Sequence, residues 1–190
     1  MKTVNRTFQT FLMAFLMFTA FTVNAQETLT LNGKSEFKVS GTSTIHDWDM
    51  ISDNGQKGSA KIKLDNGKIA SIETLKVSFP ANTLKSGKNG MDKNAYEALN
   101  VKKHPEILFE LTEVLDISDK VIKAKGNLTI AGKTQNVPMD VNYTVSGNKV
   151  NFSGNQNIKF TQFNIDPPTA MFNTIKTGDD LKVSFNTTFN

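Results

Sequence analysis

Cysteine is absent from the chain, and arginine nearly so: Arg6 is the only one in 190 residues. Without cysteine there is no disulfide, no thiolate metal site and no lipid-acylated thiol, so stability must come from a hydrophobic core. Without arginine beyond Arg6, the chain lacks the planar forks that grip phosphates and base edges bidentately, which argues against a nucleic-acid partner. Histidine is limited to His46 and His104, and tryptophan to Trp48. One long uncharged run exists, from Phe8 to Val23.

That run reads as the core of an export leader. Lys2 and Arg6 precede it with no acid among them, and Val23-Asn24-Ala25 follows with compact side chains at the first and third places. The layout predicts a signal peptide over residues 1–25, cut after Ala25 to leave Gln26 as the new terminus. A membrane anchor is the competing reading, but the run of about sixteen residues falls short of the roughly twenty needed to span a bilayer. The mature chain, residues 26–190, is therefore expected to be periplasmic or secreted, one domain, and not membrane-spanning. Leader removal takes the formal charge from +4 to +2 and removes Phe8, Phe11, Phe15, Phe18 and Phe21 from the fourteen phenylalanines. The mature protein is nearly neutral.

Beyond the leader the sequence settles into short alternating segments separated by turn pairs. Asn32-Gly33, Asn54-Gly55, Asn66-Gly67 and Gly147-Asn148 supply residues that tolerate positive φ, and Gly132-Lys133 and Ser118-Asp119 are further turn candidates. Between them the apolar period is two, as in Leu75, Val77 and Phe79, in Ile107, Phe109 and Leu111, in Ile122, Ala124, Leu128 and Ile130 with Gly126 on the same face, and in Leu181, Val183 and Phe185. The pattern predicts an all-β antiparallel domain of about eight strands, with one oily face each, arranged as a sandwich or a barrel. Two interruptions stand out. Met91, Ala95, Ala98 and Leu99 share one face of a predicted short helix over Met91 to Asn100, with Asp92 near its start. The stretch Phe160 to Lys176 contains Pro167-Pro168, which forbids a regular ladder, yet carries Phe163, Met171 and Phe172. Both segments suit a role in covering barrel ends.

Residues with reactive side chains do not form a recognisable constellation. His46 lies in Ile45-His46-Asp47-Trp48-Asp49, where His46 and Trp48 share one strand face while Asp47 and Asp49 point to the other. His104 precedes Pro105 at a strand entry, and packing or turn roles are the expectation for both histidines. There is no Gly-x-Ser-x-Gly elbow, and Lys85-Ser86-Gly87-Lys88 lacks the first glycine and the spacing of a phosphate loop. Asn-x-Ser/Thr triplets at Asn127, Asn142, Asn151 and Asn186 arise from polar strand faces rich in Asn and Thr. No enzyme, no catalytic residue, no metal site and no required cofactor are expected.

Several phrases taken in order resemble the YceI-like family of exported bacterial proteins. They are Phe37-Lys38-Val39-Ser40-Gly41-Thr42-Ser43-Thr44-Ile45-His46, then Val77-Ser78-Phe79-Pro80-Ala81-Asn82-Thr83-Leu84 leading into Met91-Asp92 and the helix to Leu99. His104-Pro105-Glu106-Ile107-Leu108-Phe109 and Gly126-Asn127-Leu128-Thr129-Ile130-Ala131-Gly132-Lys133-Thr134 follow. The resemblance implies a lipocalin-like, eight-stranded antiparallel β-barrel in the periplasm. It also implies a long internal cavity and binding of a polyisoprenoid, such as an isoprenoid quinone or a polyprenyl lipid. Many relatives carry arginine and histidine around the loop before the helix. This chain has Lys88-Asn89-Gly90-Met91-Asp92-Lys93 there, so no head-group ligand is carried over.

On that basis the expected cavity lining is Phe79, Phe109, Leu111, Leu128, Met139, Val141, Phe152, Val183 and Phe185, with Tyr96, Leu99, Phe163 and Phe172 near the ends. The expected partner is an isoprenoid or other long-chain lipid, and a homodimer is carried as one arrangement. The competing reading is a structural or stress-protective envelope protein whose barrel core is filled by side chains.

Overall fold

In a computed structural model describing residues 26–32 and 34–190, the period-two segments become eleven strands and the first interruption becomes a helix. The predicted leader lies outside the described residues. The strands are β1 (Gln26–Thr30), β2 (Glu36–Ser43), β3 (Trp48–Ser52), β4 (Lys57–Asp65), β5 (Lys68–Pro80) and β6 (Glu106–Ile117). They continue with β7 (Val121–Ile130), β8 (Lys133–Ser146), β9 (Lys149–Lys159), β10 (Thr169–Ala170) and β11 (Ile175–Phe189). Helix α1 spans Asn89–Ala98, and single 3₁₀ turns occupy Ala81–Thr83 and Thr161–Phe163.

Turn chemistry sets the hairpins. Asn66 and Gly67 both take positive φ between the paired residues Asp65 and Lys68, the arrangement whose twist matches that of the flanking strands. At the β7–β8 hairpin the two turn residues are Ala131 and Gly132, one place earlier than the glycine pattern predicts. The helix starts with Asp92 in its first turn, where the buried carboxylate accepts hydrogen bonds from the Ser86 backbone N–H at 2.8 Å and the Ser86 hydroxyl at 2.7 Å. One carboxylate thus joins the first helical turn to the loop before it.

All neighbouring strands are antiparallel, in the order β1-β4-β5-β6-β7-β8-β9-β11-β2-β3, with β10 attached to β11. Register shifts in the β4–β5 and β6–β7 ladders bend the sheet so that it curls. The expected closed, eight-stranded barrel is corrected here: the sheet is an open half-barrel, and its end strands β1 and β3 share no ladder. The reason lies in how one edge of β11 is used. β2 pairs along Thr177 to Asn186 of that edge, and the chain just after β1 meets its end through a Leu31–Phe189 bridge. Two short segments placed end to end along one edge leave β3, five residues long, paired only with β2 by a ladder. Beside β3 the gap is occupied by the chain leading to α1, through reciprocal backbone hydrogen bonds between Ile51 and Lys85, each 2.9 Å. The Ser52 and Thr83 hydroxyls meet there at 2.6 Å.

The inner face holds two apolar clusters. The lower one packs Leu29, Ile62, Ile69, Ile122, Tyr143, Val150, Phe152 and Phe189, all buried, with Phe152 and Phe189 edge to face. The upper one joins Met50, Phe79, Leu84, Leu99, Ile107 and Ile130 to Ile158, Phe160, Phe163, Ile165 and Leu181. Phe37 and Phe79 stack with centroids 4.7 Å apart.

Candidate functional site

The inside of the curled sheet is filled at one end and hollow at the other. The hollow end is a cavity of about 760 Å³, within the range of roughly 300–1,000 Å³ typical of small-molecule sites. Its walls come from elements distant in sequence: Val39, Trp48 and Met50 of β2 and β3, Met91, Ala95 and Ala98 of α1, and Ile158 with Phe160 at the end of β9. Phe163, Ile165 and the segment Pro168 to Asn173 close the far side. Helix α1 turns its small and apolar residues inward because they recur at three- and four-residue spacing. Ser43, His46, Lys88, Asn94 and Lys159 are among the polar members of the lining, with Thr169, Asn173 and Thr177 on the far side.

Below the cavity runs a narrower apolar slot of about 130 Å³, lined by β2, β5 to β9 and β11. Val39, Ile107, Ile130 and Val183 border both spaces and form a collar between them. The slot stays thin because large side chains lie across it. Phe109 rests over Gly126, where any Cβ would collide with the ring and approach the Glu110 carbonyl oxygen to 2.9 Å. At the mouth Trp48 covers Gly41 in the same manner and donates its indole N–H to the Thr42 carbonyl at 3.0 Å.

The sequence-predicted residues divide between the two spaces. Phe79, Phe109, Leu111, Leu128, Met139, Val141, Phe152 and Phe185 border the slot, Val183 borders slot and cavity, and Leu99, Phe163 and Phe172 border the cavity. Tyr96 is elsewhere: it faces an outer groove with Lys85 and Lys93, and its hydroxyl donates to the carbonyls of Asn82 at 2.8 Å and Leu84 at 2.7 Å. Its place is a strut between α1 and the preceding turn. Val39, Met50, Ile158, Phe160 and Leu181 were not among the predicted lining. Their signal was the same period-two alternation, but only the long-range pairing of β2, β3, β9 and β11 brings them together.

The histidines stay apart. His46 is exposed at the mouth and donates from Nδ1 to the Asp47 carbonyl at 2.8 Å, whereas His104 lies against Gly132 at the β7–β8 turn. Among the described residues no group of three or more His, Asp or Glu side chains converges as a metal site would require, and no helix is long and apolar enough to cross a membrane.

The rim is held by polar contacts. Asp179 accepts the Thr161 backbone N–H at 3.0 Å and the Thr161 hydroxyl at 2.7 Å, which together hold its carboxyl below the usual carboxylate range. Lys159 pairs with Asp180 at 2.7 Å, a contact that raises the lysine. The β10–β11 hairpin ends in a tight turn in which Met171, Phe172 and Asn173 all take positive φ, with the Thr174 N–H bonded to the Met171 carbonyl at 3.2 Å. Each non-glycine residue in that region costs about 1 kcal/mol.

Residues 34–189 match the YceI-like domain. The chain belongs to the YceI-like family. Solved structures repeat its fold at low identity. Burkholderia cenocepacia BcnA is 18% identical with a TM-score of 0.67, the alignment covering 83% of this chain and 98% of that one. A polyisoprenoid binding domain from Saccharophagus degradans, implicated in plant cell wall breakdown, gives 9% identity and a TM-score of 0.65 over 87% and 99% of the two chains. The Campylobacter jejuni YCEI protein gives 23% and 0.54, over 68% of this chain and 78% of that one. No curated protein matches. This YceI-like chain thus shares its curled sheet with proteins from which its sequence has diverged widely.

Proposed function

We propose that this YceI-like protein is an exported carrier that takes a polyisoprenoid chain, of an isoprenoid quinone or a polyprenyl lipid, out of water into the cavity under α1. The observation that carries the reading is the cavity itself, about 760 Å³ with predominantly apolar walls and a collar opening into a second apolar slot. An elongated hydrocarbon gains roughly 25 cal/mol per Å² of apolar surface removed from water, less the cost of ordering it. No polar group is needed along the chain's length, and the polar lining residues can face a head group at the entrance. The likeness in fold to a polyisoprenoid binding domain supports the chemical class. The leader expected from the sequence supports a periplasmic or extracellular site for this activity. No catalytic step and no metal are part of it.

The test is native mass spectrometry of protein isolated from its own host without detergent, followed by solvent extraction. The expected result is one copurifying isoprenoid lipid per chain, released by solvent. Protein that carries no lipid and takes none up from farnesol or ubiquinone would leave the structural or stress-protective envelope role in its place.

A further inference from the structure

Among the described residues five large apolar side chains are exposed, and three of them, Ile45, Met171 and Phe172, stand at the cavity mouth. Ile45 is 62% exposed, Met171 70%, and Phe172 fully exposed. Ile45 sits on the turn between β2 and β3, the other two on the β10–β11 hairpin. The two loops are tied together, with the Thr44 N–H bonded to the Lys176 carbonyl at 3.0 Å and the Lys176 N–H to the Thr44 hydroxyl at 3.2 Å. Phe172 occupies a turn position with positive φ, where asparagine or glycine would sit without strain. The turn is strained, and its phenylalanine faces water. Neither feature serves the fold.

The occupant of this tip is set by its size and by what lies behind it. Three side chains of this kind present on the order of 400 Å², against about 800 Å² per partner for a stable protein interface. They project around an opening instead of forming a flat patch, and behind them the surface continues into the apolar cavity. A fluid hydrocarbon phase accepts such a projection and is continuous with such a cavity. We propose that the mouth is a membrane-docking tip, in which Ile45, Met171 and Phe172 enter the acyl boundary of a bilayer so that a lipid chain passes into the protein without crossing water. This rests on the reading of the cavity as a lipid site. The cavity lining carries two lysines, Lys88 and Lys159, and Lys159 is paired with Asp180 at 2.7 Å, so docking is driven mainly by apolar insertion and depends weakly on salt.

The experiment is sedimentation of the protein with vesicles of phosphatidylethanolamine and phosphatidylglycerol, with Trp48 emission as a second readout. Wild type is expected to sediment with the vesicles at low and high salt alike, and Phe172→Ser to lower the partition coefficient about tenfold, Ile45→Ser by less. Phe172→Gly is expected to weaken sedimentation equally while raising the melting temperature, because it relieves the turn. Leu115→Ser, beside the β6–β7 hairpin, is expected to change nothing. Wild type that stays in the supernatant, or Phe172 variants that sediment like wild type, would overturn the proposal. Farnesol titration of wild type separates the two levels. Saturable binding without vesicle docking overturns the docking tip alone, and loss of both overturns the lipid reading beneath it.

Discussion

Phe109 and Gly126 show how single residues govern the interior. The Phe109 ring occupies the place a side chain at position 126 would take and must swing away to admit one, while the Glu110 carbonyl close beside it is backbone and yields only if the strand moves. Gly126→Ala is therefore expected to destabilise the protein by about 1–3 kcal/mol, read as a lower midpoint in urea unfolding. An unchanged midpoint would mean that the ring is not held against the backbone. The Gly126 position was visible in the sequence only as a small residue on the oily face of a strand. Its covering ring was not, because Phe109 and Gly126 meet through the β6–β7 register rather than through sequence spacing.

At the scale of elements, Asp179 links the strand β11 to the Thr161–Phe163 turn that brings Phe163 to the cavity wall. Its folded carboxyl titrates below the ordinary range, so its contribution to stability is complete above that range and is lost as pH falls through it toward the depressed value. Asp49, bonded to Lys38 and Ser40, and Asp119, bonded to Lys68, behave with the same sign. Thermal melts are expected to show stability declining below about pH 4, with a shallower decline in Asp179→Asn; parallel curves would contradict the role given to Asp179. The elements themselves were largely legible from sequence. Asn66-Gly67 and Gly147-Asn148 lie at hairpin ends where turn chemistry places them, and the helix spans Asn89–Ala98 against the expected Met91 to Asn100. The short strands β1, β3 and β10 were harder to read, since two to five residues are too few to establish a period.

At the scale of the whole molecule, periodicity gave each strand an oily face but not the path of the sheet. The sharing of one β11 edge by β2 and the chain after β1 is a long-range event, and it is what makes the sheet an open half-barrel instead of a closed one. The same topology explains the uneven interior: β4 to β9 and β11 press their large side chains together at the lower end, while α1 and the Phe160 to Lys176 segment roof a hollow above. The two sequence interruptions were read as end covers, and both border the cavity at its open end. A crystal structure of protein purified without detergent tests the central claim most directly. Continuous elongated density is predicted from the mouth past Val39, Ile107, Ile130 and Val183 toward the slot. A cavity holding only ordered water, or one collapsed by inward movement of α1, would contradict it.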